Sequence, residues 1–173
     1  MCGLVQKYNI PGPRYTSYPT VPYWDIESFS GKKWNSSLLK AFQESQEEGI
    51  SIYIHLPFCE NMCTFCGCHK RITKRHEVEK PYIKAVLREW ELYVDLMGSK
   101  PMIKELHLGG GTPTFFSPEN LKILIEGIVR LSKKTDETEF SFEGHPNNTQ
   151  REHLQALYEV GFRRVSFGVQ DYN

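Results

Sequence analysis

Four of the five cysteines in this 173-residue chain fall within the ten residues from Cys59 to Cys68. Cys59, Cys63 and Cys66 have the spacing C-x3-C-x2-C, and Cys68 follows with one residue between. Thiols this dense are typical of soft-metal sites. A single loop with three thiolates suits an iron–sulfur cubane that keeps one iron open. A structural zinc site usually takes two separated pairs of ligands, and this sequence has no second pair.

Composition is that of an ordinary globular protein and argues against several classes of function. Lys plus Arg and Asp plus Glu both total 21, so the net charge is zero and no basic field favours nucleic acid. The sequence has no apolar run of membrane-spanning length and no signal peptide. Clustered, odd-numbered cysteines favour a reduced metal site over a disulfide framework. We therefore expect a cytoplasmic protein with no membrane span and no nucleic-acid partner.

Hydrophobic periodicity divides the chain into an N-terminal arm, 1–49, and a strand–helix region, 50–173. Prolines make the arm irregular up to a short helix predicted over 38–48, with Ser36 or Ser37 as its cap and Gly49 at its end. Strands are predicted at 50–56, 104–108, 139–143 and 164–169, and helices at 81–96, 118–131 and 151–159. Strands that alternate with helices predict a parallel sheet of βα units.

Local signals set three of the helix boundaries in this region. Ser117 before Pro118 is typical of a helix start. Thr149 and Glu152 have the spacing of a capping box, and Gly161 can end the helix that follows them.

Each predicted strand carries apolar side chains on one face and polar side chains on the other. In the first strand, Ile54 and Leu56 alternate with Tyr53 and His55. A parallel sheet covered by helices on both faces would instead be apolar throughout. The pattern therefore favours helices over one face and a polar cavity over the other, as in an open, partial (β/α) barrel.

The cysteine loop resembles the cluster loop of the radical S-adenosylmethionine (SAM) superfamily, in which an aromatic residue, here Phe65, precedes the last cysteine. Within that superfamily the chain is most similar to the oxygen-independent coproporphyrinogen III oxidase family. Four stretches carry this second resemblance: 13–19 (PRYTSYP), 53–68, 109–114 (GGGTPT) and 168–171 (GVQD).

The resemblance implies a six-stranded partial barrel followed by a further C-terminal domain. The four strands found here would be its N-terminal part, truncated at the fourth strand, so we expect residues 1–173 alone to be inactive. It also implies a [4Fe-4S] cluster on Cys59, Cys63 and Cys66, together with two SAM molecules.

The resemblance also implies which residues contact the two SAM molecules. The cluster-bound molecule would be contacted by Tyr53, Gly110 and Glu143. The second molecule would be contacted by Phe65, Gly111, Thr112 and Gln170. For Glu143 the plain alternative is a surface carboxylate at a strand end.

Two further residues are candidates for substrate chemistry. Cys68 is a candidate catalytic residue, with simple packing as the alternative. Arg14 suits the carboxylates of a porphyrinogen because a guanidinium binds them through two hydrogen bonds, and a structural strap is its alternative. The sequence departs from the family pattern after Glu143, where Gly144 and His145 replace an apolar residue and an aspartate.

The implied reaction is the oxygen-independent oxidative decarboxylation of coproporphyrinogen III to protoporphyrinogen IX by a 5′-deoxyadenosyl radical, in haem biosynthesis. It needs an electron donor and an electron acceptor that the sequence does not identify. One alternative is a haem chaperone of the same superfamily, which Cys68 and the Arg14 arm argue against because chaperones are expected to lack both. A zinc-binding structural protein is the third interpretation.

Overall fold

The computed structural model describes residues 2–9, 23–64 and 66–168. Three predicted site residues, Arg14, Phe65 and Gln170, lie outside these ranges. The chain forms two compact units, Met1–Ser36 and Ser37–Asn173. Within the described ranges, no helix combines the length and hydropathy that crossing a bilayer requires.

The first two helices are α1 (Cys2–Tyr8) and α2 (Gly31–Glu44). The predicted start of α2 is wrong, because Ser36 lies inside the helix and donates its hydroxyl to the Lys32 carbonyl at 3.0 Å. The N-terminal contact is made instead by Ser30, whose hydroxyl accepts from the Lys33 backbone N–H at 3.3 Å. Gly49 follows the helix and its closing turn with a φ of 84°, which suits glycine.

The remaining elements alternate as strands and helices, which confirms the predicted βα organisation. The strands are β1 (Ile50–Leu56), β2 (Phe58–Cys59), β3 (Arg71–Ile72), β4 (Met102–Gly110), β5 (Lys133–Gly144) and β6 (Phe162–Phe167). The helices are α3 (Glu79–Met97), α4 (Pro118–Arg130) and α5 (Arg151–Glu159). Four strands form one parallel sheet in the order β1-β4-β5-β6, and β2 and β3 form a separate parallel pair.

The core lies between the sheet and the helices, on the face that the strand alternation predicts. The strand side chains at this interface are at most 5% exposed: Ile54, Leu56, Leu106, Leu108, Phe140 and Phe142. The helices contribute Ile83 and Trp90 from α3 and a stripe of α4 that is at most 1% exposed: Leu121, Leu124, Ile125 and Ile128.

β6, one of the two edge strands, differs from the other three strands of the sheet. A register shift beside Phe140 places Phe162 and Val165 opposite Phe140 and Phe142. Phe162 is buried, with its ring centroid 5.3 Å from that of Phe140, whereas Val165 and Phe167 are 40% and 43% exposed. The apolar face of β6 is therefore only partly covered by the described residues.

Two predicted helix caps have opposite outcomes. The Ser117 hydroxyl accepts from the Asn120 backbone N–H at 3.2 Å, which confirms the start of α4. The predicted pairing of Thr149 with Glu152 is wrong, because Gln150 and His153 form the capping box of α5. The Thr149 hydroxyl is engaged elsewhere, 2.9 Å from the His145 carbonyl oxygen.

Candidate cofactor site at the carboxyl ends of the strands

A cavity of about 490 Å³ opens where the parallel strands end. Its walls come from the cysteine loop (Cys59, Cys63, Cys66, Cys68) and from the residues at and just beyond the ends of β4 (Gly110, Gly111, Thr112), β5 (Glu143 to Pro146) and β6 (Ser166 to Gly168). Parallel strands bring their carboxyl ends to one edge, so residues distant in sequence meet there. The structure thus places eight predicted site residues around one cavity, and Tyr53 on β1 lies beside that cavity.

The cysteine loop is anchored at both ends. Arg71 and Thr73 donate their backbone N–H groups to the carbonyls of Pro57 and Cys59, at 2.8 and 2.9 Å. Between these anchors, Lys70 donates from its ammonium group to the Cys68 carbonyl at 3.3 Å. Cys59 is buried on β2, whereas Cys63 and Cys68 are exposed. The loop therefore fixes one thiol in the wall and presents the others to the cavity.

The thiols of the loop influence one another. Burial raises the pKa of Cys59, and the negative charges of Cys66 and Cys63 raise it further. The Thr112 hydroxyl, 3.3 Å from the sulfur, lowers it. The backbone N–H of Cys68 lowers the pKa of Cys66, while burial and Cys66 together raise that of Cys68. Three soft thiols that interact on one wall fit an iron–sulfur cluster. Among the described residues, no three candidate ligands are arranged around a single ion.

The glycine turn, Gly109 to Gly111 at the end of β4, packs directly against β1 and the cysteine loop. A β-carbon on Gly109 would lie 2.9 Å from the Tyr53 ring, and one on Gly110 would lie 2.9 Å from the His55 ring. Gly110 also has a φ of 116°, which L side chains rarely adopt. Gly111 donates its N–H to the Leu56 carbonyl at 2.9 Å. Because they have no side chains, the glycines can pack closely against β1 and leave their backbone open to the cavity.

His55 connects β1 to the far end of the cysteine loop. Its Nε2 lies 2.7 Å from the His69 carbonyl oxygen and its Nδ1 lies 3.0 Å from the Tyr53 hydroxyl. A carbonyl only accepts, so Nε2 carries the hydrogen and Nδ1 accepts from Tyr53 in the neutral ring. Burial, then the charge of Glu143, raises the pKa of Tyr53, which keeps that hydroxyl protonated.

Glu143 lies at the centre of the polar face, at the end of β5. Its Oε2 accepts from the Gly110 backbone N–H at 3.4 Å, and its Oε1 lies 3.6 Å from His107 Nε2. The ring of His107 stacks on that of Tyr53, with centroids 6.0 Å apart. His107 is not among the predicted site residues, although strand alternation places it on the same face as Glu143.

The departure at Gly144 and His145 has a physical explanation in the structure. A β-carbon on Gly144 would lie 2.7 Å from the Phe167 ring, so this ring fills the space that an apolar side chain would occupy. His145 Nδ1 accepts from the Asn147 backbone N–H at 3.3 Å. An aspartate accepts from the same backbone position in an Asx turn, so the histidine can replace it there.

The sequence and the fold of this chain are both similar to those of known proteins. The family model described as the radical SAM superfamily matches residues 53–173. Proteins named oxygen-independent coproporphyrinogen III oxidase from Pseudomonas aeruginosa and Escherichia coli are each 36% identical over 98% of this chain, covering 37% and 36% of their own lengths. The solved structure of coproporphyrinogen III oxidase from Escherichia coli, described as a radical SAM enzyme, matches with a TM-score of 0.82 and 31% identity. That match covers 98% of this chain and 36% of the solved one, so the chain spans little more than a third of its relatives' length.

Proposed function

Because the chain belongs to the radical SAM superfamily, we propose that it is part of an enzyme of haem biosynthesis that converts coproporphyrinogen III to protoporphyrinogen IX without oxygen. The observation that carries the proposal is that the cysteine loop, the glycine turn and Glu143 all line one cavity. Relatives named for this reaction are similar to this chain over nearly its whole length, which supports coproporphyrinogen III as the substrate.

The superfamily implies a [4Fe-4S] cluster and SAM, and we assign the cluster to Cys59, Cys63 and Cys66. Three protein thiolates leave the fourth iron open, as a SAM ligand requires. When bound, cluster and SAM together supply the 5′-deoxyadenosyl radical that removes hydrogen from a substrate propionate. The protein's task is then to orient these groups and exclude water from them.

The chain's own residues would bind SAM through backbone and carboxylate groups. Tyr53, Gly110 and Glu143 lie together and would contact the molecule bound to the cluster, with the Glu143 carboxylate accepting hydrogen bonds from it. Gly111 and Thr112 lie on the side of the cavity nearest Cys59, and would contact a second molecule. Phe65 and Gln170 are proposed for that second molecule as well, and both lie outside the described residues.

Cys68 is proposed as a catalytic residue on the same wall. Its side chain is exposed to the cavity, which argues against simple packing. Burial, then the charge of Cys66, raises the pKa of its thiol. Arg14 is proposed to bind a substrate carboxylate, and it too lies outside the described residues.

The proposal is tested with the full-length protein, reconstituted anaerobically with iron and sulfide. Incubation with coproporphyrinogen III, SAM and a low-potential reductant should give a product with two vinyl groups, detected by mass spectrometry. The absence of vinyl product, with cluster and SAM both shown to be bound, contradicts the proposal. Tight, stoichiometric haem binding without turnover would instead support the haem chaperone.

A further inference from the structure

We infer that His107 is a positioning residue that holds the Glu143 carboxylate in its SAM-binding orientation, with its own ring held by Ser141. This inference rests on the proposed function, since it assumes that Glu143 contacts SAM. It adds a residue that does not itself line the cavity described above.

The strand register brings the three side chains together. His107 on β4 and Ser141 on β5 are direct partners in the parallel ladder, and Glu143 follows Ser141 on the same face of β5. His107 Nδ1 lies 2.8 Å from the Ser141 hydroxyl oxygen, and His107 Nε2 lies 3.6 Å from Glu143 Oε1. One ring therefore connects two successive side chains of the neighbouring strand.

The orientation of the His107 ring is fixed from both sides. On β1, the Tyr53 ring stacks against it with an angle of 18° between the planes. On β5, the Ser141 hydroxyl holds Nδ1. Rotating the ring would break the contact with Ser141, so Nε2 stays directed towards Glu143.

The proton positions follow from what each partner can do. A carboxylate only accepts hydrogen bonds, so His107 Nε2 must carry the hydrogen that faces Glu143. In the neutral imidazole Nδ1 then has a lone pair, and the Ser141 hydroxyl donates to it. The carboxylate thus sets the tautomer, and the serine hydroxyl, which can donate as well as accept, is compatible with it. The 3.6 Å separation exceeds a direct hydrogen bond, and such contacts commonly shorten when the ligand binds.

The two oxygens of Glu143 are held by different groups of β4. Oε2 accepts from the Gly110 backbone N–H at 3.4 Å, and Oε1 faces His107. The Glu143 side chain is 50% exposed and would otherwise sample several rotamers. Holding it in one orientation before SAM arrives removes an entropic cost from binding.

Two substitutions of His107 separate this role from simple packing. In His107→Gln the amide nitrogen replaces Nε2 and can still donate to Glu143. In His107→Asn the amide nitrogen replaces Nδ1, so the contact with Ser141 remains possible and the contact with Glu143 is lost. Calorimetry of SAM binding to the full-length protein, with its cluster oxidised so that no turnover occurs, measures the difference.

We expect His107→Gln to bind SAM within about 3-fold of wild type and His107→Asn to bind about 10-fold more weakly, the loss typical of one hydrogen bond. In a Glu143→Gln background, His107→Asn should add little further loss, because the carboxylate that it orients is gone. Iron content and melting temperature confirm that each variant is folded and loaded.

Equal losses in His107→Gln and His107→Asn would overturn the inference, because they would indicate a role in packing against Tyr53 alone. Wild-type affinity in both variants would overturn it as well. These failures differ from failure of the proposed function, in which the loaded wild-type protein would bind SAM and form no vinyl product.

Discussion

Gly111 packs so closely against Pro57 that a β-carbon on Gly111 would lie 2.7 Å from the Pro57 carbonyl oxygen. The same β-carbon would lie 2.9 Å from the sulfur of Cys59. The backbone of the glycine turn thus forms part of the surface against which the first predicted cluster ligand is seated. Backbone atoms cannot swing aside as a long side chain can, so this contact tolerates no added atom.

Gly111→Ala should therefore displace the Cys59 end of the loop and lower the iron content of the protein. Overpacking of this kind costs ~2 kcal/mol. The matched control is Gly67→Ala in the same loop, because a β-carbon on Gly67 meets no atom within 4 Å. Iron and sulfide per chain after anaerobic reconstitution provide the measurement, and equal iron content in the two variants would contradict the prediction.

Glu79, at the start of α3, is 1% exposed and should be important for stability. Its carboxylate accepts from the Ser117 backbone N–H at 2.9 Å, from the Asn120 side-chain amide at 2.7 Å, and from His76 Nδ1 at 2.7 Å. Glu79→Ala leaves the first two donors without their partner, at about 1–3 kcal/mol each. Urea denaturation should show a correspondingly lower free energy of unfolding.

The control for Glu79 is Glu77→Ala, two residues earlier. Glu77 is exposed and pairs only at the surface with Arg75, at 3.0 Å. Surface pairs contribute little because water screens them. A loss of stability in Glu77→Ala as large as that in Glu79→Ala would show that burial of the carboxylate is not the cause.

The effects of substitutions at Gly144 and Phe167 on stability should be coupled, since the Phe167 ring fills the space beside Gly144. Gly144→Val should destabilise the protein by ~2 kcal/mol through overpacking. Adding Phe167→Leu should recover part of that loss, although Phe167→Leu alone is expected to be mildly destabilising. A double-mutant cycle on melting temperatures measures the coupling, and strict additivity would refute the interpretation of this pair.

The four clustered cysteines should separate into two groups when each is replaced by serine. Cys59→Ser, Cys63→Ser and Cys66→Ser should each lose most of the cluster, because each is proposed to bind a different iron. Cys68→Ser should keep wild-type iron content and lose vinyl product. Cluster loss in Cys68→Ser would make Cys68 a ligand instead of a catalytic residue.

Sequence predicted the positions of the strands better than the start of the second helix. β1 was predicted at its observed bounds because alternation is clear and Gly49 marks its beginning. The start of α2 was missed because its first turn, Gly31 to Lys33, has no apolar side chain to begin a periodic stripe. Ser30 was a usable cap signal that the stronger pair, Ser36 and Ser37, obscured.

The gathering of the site residues was also predictable, whereas the contacts among them were not. Parallel strands end at one edge, so Cys59, Gly110 and Glu143 were expected to meet. The contact between His107 and Glu143 depends on how strands β4 and β5 are aligned, and a single sequence does not contain that alignment. Glu79 lies before the predicted helix start at 81 but inside α3, and its carboxylate is buried against Ser117 and Asn120 at the start of α4.

The pairing of β2 with β3 has a consequence for how the cysteines can be loaded. Phe58 and Cys59 pair with Arg71 and Ile72, so the two ends of the loop lie side by side. Holding the ends of the loop together in the backbone already meets part of the entropic cost of bringing its thiols to one site. A cluster would therefore be assembled on a loop whose two ends already lie side by side.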